Sequence, residues 1–156
     1  GVLFNDVASV RLVHVPYKGS AGALTAIVSG EMQLMFGTLP SSLPFVRSQR
    51  LRALAVTSAR RSTAAPQYPT IAESGVPGYE VIAWYNVFAP AKTPASIVTL
   101  LNQEAARVLA SAVTKERFYN AGVETVGSTP EDFIASIKAD VIRWRKVIKD
   151  AGIRED

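Results

Sequence analysis

The chain has 156 residues, 48% of them apolar, with 17 basic against 13 acidic side chains and a net charge of +4. That is enough apolar material for a packed core, which excludes a disordered chain, and no run of about 18 apolar residues is present to span a membrane. The basic residues are scattered, with few aromatics beside them, which argues against nucleic acid as a partner; the absence of cysteine removes disulfides, thiolate metal sites and a cysteine nucleophile.

Residues 2–9 read as the last turns of a helix, with Leu3, Phe4 and Val7 on one side. The opening Gly1-Val2-Leu3-Phe4-Asn5-Asp6 has neither the basic start nor the apolar stretch of a secretion signal, and it lacks methionine; the expectation is a fragment of a longer protein. Residues 11–15 predict a short buried strand that Pro16 ends. A helix over 21–29 follows, with Leu24, Ile27 and Val28 on one face and Gly30 as its stop. Residues 32–36 predict a second strand, 37–40 its exit loop, 41–47 a short helix, and 51–57 a third strand. The connection 58–78 holds Pro66, Pro69 and Pro77 and is long for a compact domain; a helical turn over 70–74, closed by Gly75, is expected within it. Residues 79–89 predict a long strand.

The last third reads as helical. Thr93-Pro94 and Thr129-Pro130 each pair an N-cap threonine with proline at the first helical position. The first pair opens a helix over 94–110, the second a helix over 130–150 with Glu131 and Asp132 in its first turn. Between them a short helix near 114–120 and a strand near 123–126 are expected. The β-α-β-α-β alternation with short apolar strands predicts an α/β fold with a mainly parallel sheet, in which 11–15, 32–36 and 51–57 are neighbours.

Reactive groups are few. The one histidine, His14, lies between valines on a predicted strand, where a structural position is expected. No nucleophile elbow and no glycine-rich phosphate loop occurs. Glu73 with Glu80, and Glu131 with Asp132, sit where caps and solvent faces account for them. Catalytic residues, metal ligands and cofactors are therefore all expected to be absent. The segment 15–23 is different in kind: a strand ends, small residues follow, and a helix begins near Ser20. That is where open α/β sheets bind ligands, and a helix start offers free amides and a partial positive charge to an anion. An ordinary βα turn with a serine cap fits the pattern equally, and on pattern alone is the commoner case.

HVPYKGSAGALTAIVSGEMQLMF, LRALAVTSARRS, YPTIAESGVPGYEVIAWYNVFAPAKTPASIV, STPEDF and WRKVIKDAGI occur in this order over essentially the whole chain. Together they resemble the Bug family of solute-binding receptors, which serve tripartite tricarboxylate transporters. The resemblance implies a type II periplasmic binding protein-like fold: two α/β lobes, each with a mainly parallel sheet and helices on both faces, joined by crossing strands and closing on a small carboxylate. It implies that residues 1–80 are part of the second lobe, 81–92 an inter-lobe crossing strand, and 93–156 the returning helical part of the first lobe, so that the two-lobed fold is incomplete here. The ligand-binding residues it implies are Tyr17, Lys18, Gly19, Ser20 and Ala21, with Gly37 and Thr38 beside them. Some relatives carry an aspartate near Gly37 for a ligand amine; glycine and threonine there count against an amino-acid ligand. The implied partners are a small carboxylate and the membrane components of the transporter, in the periplasm. A truncated, self-associating fragment without ligand binding is the alternative, and a small-molecule enzyme the third reading. The implied ligand position is the helix start near Ser20, with the amides of Gly19, Ser20 and Ala21 as donors.

Overall fold

The computed structural model describes residues 1–150 and 152. Among them six helices follow in order: α1 (Val2–Val7), α2 (Ser20–Val28), α3 (Leu39–Arg47), α4 (Ala95–Ala110), α5 (Ala112–Asn120) and α6 (Pro130–Asp150). Local chemistry accounts for some of their ends. Gly30 takes φ +81°, a left-handed conformation that suits glycine, just past α2. The Thr129 hydroxyl accepts from the Asp132 amide at 3.1 Å and donates to its carboxylate at 2.8 Å, capping α6 as its sequence predicts. The twin device fails at α4. Pro94 is itself the N-cap, with ψ 139°, and its carbonyl receives the Ile97 and Val98 amides, while the Thr93 amide closes a turn on Pro90.

Among the described residues the segments read as strands form no ladder, and bends fall at Gln33, Leu51 and Thr57. The β pairing present is an isolated parallel bridge between Val56 and Thr70, framed by Val56 N donating to the Pro69 carbonyl and Ile71 N to the Val56 carbonyl, each at 2.9 Å. The reason is physical. Alternating or β-branched sequence sets the backbone conformation, whereas a ladder needs a second backbone about 4.8 Å away. Segments 11–15, 32–36 and 51–57 do not supply that second backbone to one another.

By internal packing the chain divides into two compact units, Gly1–Tyr85 with Glu116–Glu124, and Asn86–Lys115 with Thr125–Asp156. Residues 116–124, expected with the helical tail, thus lie in the first unit. In that unit Leu24, Ala26, Leu43, Ala65 and Tyr79 are buried and Thr70 is fully enclosed. The Phe4 ring of α1 meets Phe36 at 5.6 Å and stands edge-on to Tyr79 at 5.7 Å. In the second unit Phe88 packs on Phe133 at 5.5 Å, and Asn102 Nδ2 donates to the Ser128 carbonyl at 2.9 Å. The predicted apolar faces of α4 and α6 are only partly covered: Ile97, Leu101, Val108, Val141 and Ile148 are all exposed.

Candidate functional site

The turn into α2 is built as a helix start without a side-chain cap. Gly19 is the N-cap residue, at φ +95° and ψ 173°, a conformation closed to most side chains, and it has no side chain to satisfy the first amides of the helix. Its own amide is engaged, donating to the Tyr17 carbonyl at 2.8 Å. This corrects one expectation: Gly19 N is not a free donor, because the tight turn that exposes the next amides consumes it. The amides of Ser20 and Ala21 remain at the mouth of the helix, where the macrodipole favours negative charge. Lys18, Gly19, Ser20 and Ala21 are exposed, and Tyr17 is half-buried. A Cβ on Gly22 would lie 3.3 Å from Tyr17 Cδ1, so the tyrosine ring folds back over the first turn at this glycine.

Gly37 and Thr38 form the turn into α3. Thr38 is the N-cap, with Pro40 in the first turn, where its missing amide is harmless. The Thr38 side chain is not the cap; its hydroxyl lies 2.9 Å from the Ser41 hydroxyl, and Ser41 Oγ also meets the Thr38 carbonyl at 2.9 Å. A Cβ on Gly37 would sit 2.7 Å from Ser42 Oγ and 3.0 Å from Met35 Cε. A side chain at this position would require the Ser42 hydroxyl and the end of the Met35 side chain to move aside. Both predicted loops belong to the first unit.

Two carboxylates do structural work that accounts for their altered acidity. Thr70 and Glu73 form a capping box: Thr70 N donates to Glu73 Oε2 and Glu73 N to Thr70 Oγ1, both at 2.9 Å, and Arg61 Nε adds an ion pair at 2.9 Å. The Thr70 amide first, and the Arg61 side chain next, hold the Glu73 carboxyl below its ordinary value. Glu124 was not singled out by its sequence. Its Oε1 accepts from the Thr63 amide at 2.8 Å, the Ser62 hydroxyl at 3.0 Å and the Thr63 hydroxyl at 3.1 Å, and the Thr63 amide leads in lowering its pKa. Nearby, Gly122 is buried at φ +80° with space for a Cβ only 3.0 Å from Leu39 Cγ, and Arg47 Nη1 reaches the Asn120 carbonyl at 3.4 Å. Residues 116–124 are thus fixed to α3 and to the 58–78 connection. Burial pushes the Tyr79 hydroxyl pKa up. His14 is exposed. Among the described residues no three acidic or histidine side chains gather as a metal site, and no helix is long and apolar enough to cross a membrane.

Comparison with known proteins places this geometry. The solved structure of Rpa4515 from R. palustris with adipate superposes with a TM-score of 0.91 at 41% identity, covering 97% of this chain and 51% of that one. The periplasmic binding protein BugD gives 0.85 at 30% identity, covering 99% and 52%. MatC from Rhodopseudomonas palustris with bound malate gives 0.79 at 29% identity, covering 94% and 51%. These likenesses define the class: the chain has the fold of part of a periplasmic binding protein. The tripartite tricarboxylate transporter family receptor model, TctC, matches residues 3–153, and the chain belongs to that family, one of receptors and not of enzymes. It spans about half the length of most curated relatives it matches; in one from Pseudomonas sp. (strain P51), 40% identical over 142 residues, it covers 42% of the relative.

Proposed function

We propose that this chain is the ligand-loop-bearing portion of an extracytoplasmic receptor for small dicarboxylates, one that feeds a tripartite tricarboxylate transporter from the periplasm. The observation that carries the reading is the uncapped start of α2, where Gly19 turns the chain so that the Ser20 and Ala21 amides face outward without a side-chain acceptor. A carboxylate fits such a start, because it replaces water on amides that the helix itself leaves unpaired and gains charge-assisted bonds. The Ser20 hydroxyl assists, Lys18 adds positive charge, and Gly37-Thr38 borders the site. Relatives solved with adipate and with malate support the dicarboxylate class.

On this reading residues 1–80 belong to the second lobe, 81–92 cross between lobes, and 93–156 return to the first. Segments 11–15, 32–36 and 51–57 join a parallel sheet in the whole receptor. Ligand between the lobes favours the closed state through contacts made only there. One lobe's loop makes only part of the grip. The chain alone should therefore bind adipate or malate at about 1 mM, equivalent to about −4 kcal/mol. An NMR titration with adipate, malate and citrate tests this. Shifts centred on residues 17–21 are expected; saturable binding centred on another region, or turnover of any of these acids, would refute it.

A further inference from the structure

Charge is unevenly spread along the chain. Residues 1–137 carry eleven basic and nine acidic side chains, a net +2. The twelve residues 138–149 carry five and one, a net +4, and residues 150–156 carry one and three. All twelve lie in α6. Helical spacing sets Lys138, Ile142, Arg145, Lys146 and Lys149 on one face, at steps of three or four. All five are exposed, with Ile142, 73% exposed, in the middle of the four cations. The face adjoins the apolar stripe of Ile137, Val141, Trp144 and Ile148, with Arg145 and Lys149 at the border and Asp140 at the stripe's far side. Cover for the stripe by further chain would still leave Lys138, Ile142 and Lys146 outward, because they lie a quarter to half a turn around the helix from it. The helix dipole accounts for a cation in the last turn, Lys149, but not for Lys138 or Arg145. Arg145 and Lys149, like charges four residues apart, cost the isolated helix stability.

We propose that this face of α6 docks on an anionic phospholipid bilayer, held by its four charges with Ile142 as a shallow apolar contact. Charge complementarity calls for an anionic partner and disfavours the same face of a second copy. Three of the four cations are lysines. Protein interfaces favour arginine, whose planar fork pairs with a carboxylate, and are poor in lysine. A lysine ammonium acts as a point charge, which suits the diffuse field of a phosphate layer. Lys138 and Lys149 stand roughly 16 Å apart along the axis, so a helix lying in the membrane plane meets several headgroups at once. The inference rests on α6 alone and is independent of the ligand loop. For a receptor that serves a membrane transporter, such docking would confine the search for that transporter to a surface.

Co-sedimentation of the chain with vesicles of phosphatidylglycerol and phosphatidylcholine in equal parts, beside vesicles of phosphatidylcholine alone, tests the proposal. Binding to the anionic vesicles at low salt is expected, at least about tenfold tighter than to the neutral ones. It should fall at least about tenfold in 1 M salt, where the screening length is about 3 Å. Lys138→Gln with Lys149→Gln should weaken it about thirtyfold, equivalent to about 1 kcal/mol per charge. Ile142→Ser should weaken it about threefold, through loss of a partly buried apolar contact. Lys92→Gln with Lys115→Gln removes the same net charge from exposed positions elsewhere and should change binding less than about threefold. All these positions are exposed, so the variants should keep the far-UV helical signal and melting behaviour of the parent chain. Equal binding to neutral vesicles would assign the attraction to the apolar stripe and overturn the proposal. Equal losses from the two lysine pairs, no binding to anionic vesicles at low salt, or binding lost in a longer receptor with its added segments in place would overturn it as well. Capture by polyglutamate but not by anionic vesicles would identify an acidic protein as the partner, and the bilayer would be ruled out.

Discussion

The connection at 58–78 and the stretch at 82–89 nearly adjoin in sequence and meet opposite fates. The first is rich in proline, glycine and polar residues and would be taken for the looser of the two. It is instead braced: Thr70 and Glu73 cap each other, Arg61 pairs with Glu73, Ser62 and Thr63 hold Glu124, and Ala65 and Thr70 are buried. The second has the composition of a strand and stands open on both faces. Short polar side chains can satisfy backbone groups a few residues away. Apolar extended backbone cannot; its hydrogen bonds must come from another chain segment, and its order depends on whether that segment is there.

The contrast breaks most easily at Gly122, which brings Glu124 to the connection. Gly122→Ala forces a left-handed conformation on a side chain and sets a Cβ 3.0 Å from Leu39 Cγ. The two penalties together should remove about 3 kcal/mol of stability in urea unfolding. They should also loosen residues 58–78 in hydrogen exchange before α2 is affected. Next in size, Thr70→Val keeps the shape of an enclosed side chain but deletes the acceptor of the Glu73 amide. A loss of about 1–2 kcal/mol is expected by the same measurement, the ordinary cost of losing a cap and stranding a donor.

Much of this was legible in the sequence, but unevenly. The helices were readable because periodicity and caps are local: Gly30 stops α2 and Thr129 with Asp132 starts α6. The turn at 70–74 was readable for the same reason, and Ser74 N does donate back to the Thr70 carbonyl at 3.1 Å. Strand-like composition at 11–15 or 79–89 was readable, but partnership was not, since residue type specifies a strand's faces and not its neighbour. The helix start at Gly19-Ser20 was readable from its small residues, and the family resemblance is what proposes it as the ligand site. That the Gly19 amide is spent on Tyr17, or that the Ser42 hydroxyl lies close over Gly37, depends on coordinates no pattern carries. Glu124 was missed because its donors lie 61 and 62 residues away.

Acid should sharpen the comparison by acting on the braced region alone. The Glu124 carboxyl has a folded pKa below its ordinary 4.5, with the Thr63 amide as the main cause. A depressed carboxylate pKa stabilises the fold above the unfolded value and loses that contribution as pH falls through the folded one. Stability should thus be level above about pH 5 and decline below 4.5 as the Thr63 and Ser62 bonds meet a protonated acid. Glu124→Gln should make that decline shallower, leaving the part that the Glu73 carboxyl, also held below its ordinary value, contributes. At neutral pH the variant should lose less than about 1 kcal/mol, because the carboxylate is largely open to screening water.

The smallest effect belongs to the open segments, and its smallness is informative. Val13 is 90% exposed and Val87 91% exposed. Val13→Ser and Val87→Ser should each change unfolding free energy by less than about 0.5 kcal/mol, since neither side chain leaves water on folding. A loss of about 1 kcal/mol or more at Val13 would mean that 11–15 is already paired, and that the difference between braced and open regions is overdrawn. In a longer receptor whose added segments supply the missing backbone, the same Val13→Ser should become destabilising by about 1 kcal/mol, the scale of a half-buried strand position. The substitution therefore reads partnership itself: silent where the strand is alone, costly where it has a neighbour. An effect of equal size in both chains would locate the role of Val13 in its own residue's conformation, and would count against the sheet proposed for the whole receptor.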